Sequence, residues 1–338
     1  MLRDKLRNNK KLVYWYRCFR NRNTKAYKEF VFDDTQKLTF KAKDNNFGDF
    51  NNVYYDIFMR DSVSGFFAIY RWILSSLYVA DRFNMIPHIS IIHTLYSNED
   101  EDFFKLYFSL RNGVESIENK ANVLEYNSGH LMWLDDKYGL PKGLPCGYDI
   151  GEDYINELAS IKNKYLDFNN ELENKIIIQI DNLLNKEKTI GVHYRGTDYK
   201  AGFKGHPIAL SPSDYFEYID ELLNLDYKKI FVATDDKTAL DEFIDRYGDK
   251  IVYYKDTERS SDGKSVHEFS KSDVHQKGYD VLRDMLTLSN CDSLICGKSQ
   301  VSIAARVEKS SKGKKYDYFK LIDKGNYTVD NRKEYYKK

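Results

Sequence analysis

The chain has 338 residues, a net charge of +0, 42% hydrophobic and 31% charged residues, which excludes a disordered chain and any bulk electrostatic pull toward nucleic acid. Length predicts about two domains. No apolar run approaches the ~18 residues a membrane span needs, and no signal peptide opens the chain. The four cysteines Cys18, Cys146, Cys291 and Cys296 have no metal-ligand spacing, so a reduced, cytoplasmic protein is expected.

Residues 1–28 are lopsidedly basic: ten Lys and Arg face Asp4 alone, and the aromatic run Leu12–Tyr16 lies among them. Two readings stand, a peripheral contact with an anionic membrane or a terminal helix packed on its own domain. A strand is predicted over 53–58, then a loop ending at Ser64-Gly65, a buried helix over Phe66–Arg82 and a strand over Ile86–Ile92. Strand, glycine turn, helix, strand is the opening unit of a doubly wound sheet. Gly65 is either a plain turn or a close backbone approach to an anion. Residues 96–150 read as loop-rich, with a helix over Asn98–Leu110 and loops at 133–136 and 141–145. One or two long helices over 151–187 bridge to a second half, which begins at 188.

That half alternates more clearly. Thr189–Lys200, TIGVHYRGTDYK, begins as a buried strand and turns polar at His193, Arg195, Thr197 and Asp198. A guanidinium at a strand end suits phosphate, because its planar fork of donors never loses its charge. A helix over Ser213–Leu223, with Ser213 as N-cap, is followed by a strand over Lys228–Ala233 ending at Thr234-Asp235-Asp236. A helix over 237–247, a strand over Ile251–Tyr254 and a mobile polar loop over 256–276 come next. A helix over 278–290, a strand over Ser293–Cys296, the turn Gly297-Lys298-Ser299-Gln300 and a helix over 301–309 complete the pattern. Such alternation predicts a parallel sheet. Its three polar strand ends are expected to share one crevice for a phosphorylated or nucleotide ligand. The GKSQ turn lacks Walker spacing. Adjacent aspartates in TDD point in different directions, so metal binding is not expected there.

GVHYRGTDYK, His206-Pro207-Ile208, Val232–Asp236 and Asp284–Val301, in this order and spacing, resemble the α1,6-fucosyltransferase family. The family includes nodulation and core-fucosylating enzymes, with protein O-fucosyltransferases as distant relatives. The resemblance covers about 188–308. It implies two Rossmann-like lobes of α/β class, GT-B-like, with residues 29–187 as the acceptor side and 188–338 binding the nucleotide sugar. It further implies an inverting, metal-independent enzyme that needs no cofactor and takes GDP-fucose as donor. By that resemblance Arg195 holds the diphosphate, His193 and Asp284 face guanine, Ser299 and Gln300 touch the β-phosphate, and Gly65 approaches from the first lobe. Asp235 and Asp236 occupy matching positions and are read either as site residues or as braces for the Arg195 loop.

Two departures stand out. Gly196 replaces a second Arg, and Ala201-Gly202-Phe203 falls where the family carries a Glu base. Asp198 and His206 are the candidate substitutes for that base, with Asp198 read alternatively as an anchor of the turn. The expected acceptor is a bacterial surface glycan or oligosaccharide, lipid-linked in one version that uses residues 1–28. The alternatives are another nucleotide sugar, or a GDP- or glycan-binding protein without catalysis. His88, His93 and His130 are read as structural or exposed, and His267 and His275 as loop residues near the crevice.

Overall fold

The computed structural model describes residues 30–32, 38–40, 54–82, 84–118, 123–127, 148, 150–197, 199–261, 263, 265–266 and 272–329. The basic segment 1–28, the stretches 133–136 and 141–145, and His130 and His267 lie outside them.

A short antiparallel pair, β1 (Phe30–Phe32) and β2 (Leu38–Phe40), precedes the first sheet. That sheet contains β3 (Tyr54–Ser62), β4 (Ile86–Thr94), β5 (Ser97–Asp102) and β7 (Val123–Asn127), in the order β5-β4-β3-β7. Parallel pairing joins β3 to β4 and β7, and β5 runs antiparallel along the edge. Helix α1 (Phe66–Arg82) crosses from β3 to β4 and is buried on almost every face, as an apolar helix without a polar stripe must be. Gly65 starts it, its carbonyl accepting from the amides of Ala68 (3.0 Å) and Ile69 (3.1 Å). Phe66 locks the start with edge-on contacts to Tyr96, Phe103 and Tyr107 at 4.9–5.3 Å.

The helix expected over Asn98–Leu110 is a correction. It resolves into β5, the five-residue helix α2 (Phe103–Tyr107) and β6 (Phe108–Leu110). SNEDED has little strand propensity, but as an edge strand it needs only one hydrogen-bonded neighbour and turns its charges outward. The span 151–187 is two helices, α3 (Glu152–Tyr165) and α4 (Asn170–Leu184), separated by β8 (Leu166–Phe168), which pairs with β6.

The second sheet is wholly parallel, in the order β11-β10-β9-β12-β13. Its strands are β9 (Thr189–Tyr194), β10 (Lys229–Thr234), β11 (Ile251–Val252), β12 (Ser293–Gly297) and β13 (Tyr318–Ile322). Chain order reverses between β9 and β12, the switch point of a doubly wound sheet. Strand parity decides what lies on each face. Ile190, Val192, Ile230, Val232 and Ile295 pack under α5 (Ser213–Leu223) and α6 (Lys237–Tyr247). Phe231, Ala233, Leu294 and Cys296 pack under α7 (Val274–Asn290) and α8 (Gln300–Ser311). Pro212, not Ser213, caps α5, without a side-chain bond; the acceptor is one residue further on, where Asp214 takes the Ser211 amide at 2.7 Å.

The two sheets share one hydrophobic core. The cluster that begins at Tyr55 and Ile57 of β3 continues through α1 and α3 into α7, β12 and α8. Helix α3 packs on both α1 and α8, and the buried carboxylate of Glu308 forms an ion pair with Lys162 Nζ at 3.1 Å across that seam. The architecture is two Rossmann-like lobes in the GT-B-like arrangement.

Candidate active site

Sheet parity explains how the site is assembled. His193 has the same parity as Gly191 and Ala233, so its ring emerges on the face covered by α7, not the face covered by α5. The next strand-end residue of that parity is Arg195. From α7, residues 277, 280, 281 and 284 share one helical face by their spacing. These side chains, with Ser299 and Gln300 at the start of α8 and Gly65 at the end of β3, line one cavity of about 420 Å³ between the sheets. Its floor is the switch point of both sheets, where α/β proteins hold their ligands.

Asp284 is buried, and its Oδ1 has no hydrogen-bond partner among the described residues. Burial pushes its carboxyl up to about 7, against partial relief from Arg259 and Arg283. Arg283 does not neutralise it more fully because its fork is engaged elsewhere. It donates to both Asp256 oxygens (2.9 and 3.0 Å), Asp280 (3.0 Å), Thr257 (2.9 Å) and Gln179 (2.9 Å), and lies 3.9 Å over the Tyr254 ring. His193 is buried too, and its Nδ1 is likewise without a hydrogen bond. Burial first, then the adjacent Arg195 charge, lowers its pKa to about 4, so the ring is neutral at physiological pH. Two buried polar atoms with no hydrogen-bond partner among the described residues, on side chains that line one cavity, are costly as they stand and favourable once a ligand satisfies them.

Asp235 braces the Arg195 loop. Its carboxylate accepts Arg195 Nη1 at 2.7 Å, the Gly196 amide at 3.1 Å and the Thr197 hydroxyl at 2.6 Å. Asp236 points the other way, capping α6 through the Ala239 amide at 3.1 Å and pairing with Lys200. Both aspartates therefore hold the fold around Arg195. Ser299 caps α8 through the Val301 amide (3.1 Å) and, with Gln300, faces the cavity. His206 lines the cavity beside Phe203 and Tyr199, edge-on at 5.5 and 6.0 Å. Phe203, where the resemblance implies a carboxylate, makes this wall aromatic. Asp198 lies outside the described residues.

Gly196 is explained by its neighbour: a Cβ there would meet Asp236 Oδ2 at 2.5 Å and Asp236 Cβ at 2.6 Å. Gly196→Ala is expected to push Asp236 off its helix cap and cost about 1–2 kcal/mol, read as a lower urea midpoint. An unchanged midpoint would show that the Asp236 side chain yields freely.

Of the other histidines, His88 is buried against Asp56 (2.7 Å) and the exposed His93 pairs with Asp61 (2.7 Å). His275 does not line the cavity; it bridges the lobes by bonding Glu101 at 2.6 Å. Lys277 and Glu258 line the cavity and were not anticipated. Lys277 belongs to the α7 face, but the sequence suggested a helix start at 278, after it.

Two α/β sheets meeting over a cavity lined by an arginine and a helix N-terminus make the GT-B-like architecture, one found among glycosyltransferases. Residues 159–326 match the family model described as alpha-(1,6)-fucosyltransferase N- and catalytic domains. Over that span the chain is similar to the α1,6-fucosyltransferase family. No curated protein matches it in sequence. Among solved structures it is similar to NodZ alpha-1,6-fucosyltransferase soaked with GDP-fucose: 16% identity, 76% of this chain and 92% of that one, TM-score 0.48. Fucosyltransferase NodZ from Bradyrhizobium follows at 15%, 75% and 92%, with 0.45. POFUT1 in complex with GDP is similar at 12%, 80% and 98%, with 0.46.

Proposed function

We propose that this enzyme transfers fucose from GDP-fucose to a glycan hydroxyl, with inversion and without a metal. The observation that carries this reading is the pair of unsatisfied buried atoms, Asp284 Oδ1 and His193 Nδ1, on residues that line one cavity with Arg195. Guanine offers an N1–H and an N2–H side by side, which an ionised Asp284 accepts together. Adenine presents no such pair. From the base, the diphosphate runs toward Arg195 and the start of α8, with Gly65 opposite.

In the reaction, the bond from the sugar's anomeric carbon to the β-phosphate oxygen breaks, and its electron pair stays on GDP. The acceptor oxygen forms the new bond from the opposite face and gives up its proton. Arg195, held by Asp235, and the amides and hydroxyl at Ser299 and Gln300 stabilise the charge arriving on the phosphate. That set supplies locally what a cation otherwise would, and the adjacent aspartates that could ligate one already hold the loop and α6. His206 is the described residue proposed to accept the acceptor's proton, with Asp198 as its alternative.

Incubation with GDP-fucose is expected to release GDP slowly, at a rate unchanged by EDTA. Calorimetry showing no GDP binding would end this reading, and a thermal-shift panel in which UDP, ADP or CMP matches GDP would replace the donor. Phe203 favours a second reading, a GDP-binding protein without turnover, because an aromatic ring cannot serve as a base. GDP binding with no fucose transfer to any oligosaccharide tested would select it.

We further propose that residues 29–187 form the acceptor-side lobe and 188–338 the donor-side lobe, and that the acceptor is a bacterial surface glycan. No helix among the described residues is long and apolar enough to cross a membrane. The basic segment 1–28 supports a cytoplasmic enzyme that meets lipid-linked acceptors at the membrane surface.

A further inference from the structure

Among the described residues of the first lobe, Arg71 is the largest fully buried charged side chain, 1% exposed in the middle of α1. Its Nη1 crosses between the lobes to donate to Gln300 Oε1 at 3.2 Å. Gln300 is the first residue of α8 and lines the cavity; Arg71 lies behind it and does not.

We infer that Arg71 is a positioning residue that fixes which end of the Gln300 amide faces the donor's β-phosphate. The argument rests on an asymmetry of donors. A primary amide carries an acceptor and a donor of nearly the same shape and can present either. A guanidinium carries donors only, so it binds the carbonyl end and turns it away from the ligand. The NH₂ end remains for the cavity, and a donor is what a phosphate oxygen requires. Without Arg71 the amide could also turn its oxygen toward the phosphate, two acceptors face to face. The contact also makes the second lobe's phosphate cradle depend on a first-lobe residue.

This inference rests on the GDP-fucose reading, and its test separates the two. Affinities for GDP and GMP are measured by calorimetry on the full chain, for the unaltered protein and for Arg71→Met, Arg71→Lys, Gln300→Leu, Gln300→Glu and the Arg71→Met/Gln300→Leu pair. Arg71→Met and Gln300→Leu are each expected to weaken GDP about tenfold and to leave GMP, which has no β-phosphate, within twofold. The pair should be no weaker than either single change, and Arg71→Lys, which still only donates, should recover most of the loss. Gln300→Glu, with oxygens at both ends, should lose at least as much GDP affinity as Gln300→Leu. Equal losses for GDP and GMP, or additive losses in the pair, would overturn the assignment. Should Arg71→Met fail to fold, Gln300→Glu still decides: GDP affinity equal to that of the unaltered protein overturns the assignment. An unaltered protein that binds neither nucleotide would overturn the functional reading beneath it.

Discussion

Arg195→Ala is expected to lower kcat/KM for GDP-fucose by roughly a thousandfold, the scale of removing a principal donor to a developing oxyanion or phosphate. The loss should fall on both donor binding and the chemical step, because on the proposed reading the guanidinium touches the diphosphate before and during departure. Arg195→Lys should recover only part of it. An ammonium restores the charge but not the fork that spans Asp235 and a phosphate oxygen together. Folding should be nearly unaffected, since Asp235 would keep the Gly196 amide and the Thr197 hydroxyl as partners. Steady-state kinetics beside a urea melt check both halves. A variant within tenfold of the unaltered enzyme would remove Arg195 from the centre of the mechanism.

Asp284→Asn should give an opposite pair of effects: GDP affinity down at least a hundredfold and stability up at neutral pH. The amide places an NH₂ where two guanine N–H groups need acceptors, and a site built for a hydrogen-bonding edge discriminates strongly once it is mismatched. The stability effect follows from the raised carboxyl. Burial lifts it from the ordinary 3.8 to about 7, so the folded protein keeps a proton that the unfolded chain gives up near pH 4. The unfolded state then binds fewer protons between pH 4 and 7, and the stability of the unaltered protein falls across that window and is flat above it. At 1.36 kcal/mol for each tenfold step in acidity, the ionised carboxyl costs about 4 kcal/mol at most. The asparagine variant should be more stable by about 2–4 kcal/mol above pH 7, with the difference vanishing toward pH 4. GDP binding by the unaltered protein should be constant above pH 7 and weaken about tenfold per pH unit below it, because the proposed guanine contact needs the ionised form. Denaturation and calorimetry across pH 5–8.5 test both curves. A flat GDP affinity would show that Asp284 does not take the guanine edge.

Much of the second half was legible because its strands are short apolar runs ended by polar clusters, and a parallel sheet buries such strands on both faces. β9, β10 and β12 were read within a residue or two on that ground. β13, YFKLI, was missed since each of its residues is only half-buried at the sheet edge. The region 96–110 failed for a different reason. Its charges suit helix, solvent or edge strand equally, and the pairing partner β4 decides among them. In the site, His193, Arg195 and Asp284 could be singled out as candidates from residue type and motif, and all three line the cavity. Their convergence could not, because it depends on strand parity and on where α7 begins. Arg71 carried no local signal at all: within FFAIYRWIL it reads as one polar residue on a buried helix, and only the arrival of α8 brings Gln300 to it.

The core that runs unbroken from β3 to α8 bears on how such an enzyme can change its substrate over evolutionary time. A lobe with its own sealed interior can be exchanged for another at little cost, as a cassette. Here the first sheet and the second sheet are finished by the same buried side chains of α1, α3 and α8, so neither could be replaced without leaving the other's interior exposed to water. New acceptors would have to be acquired by remodelling the loops at the rim of the cleft, while the body beneath diverges as a single inherited unit.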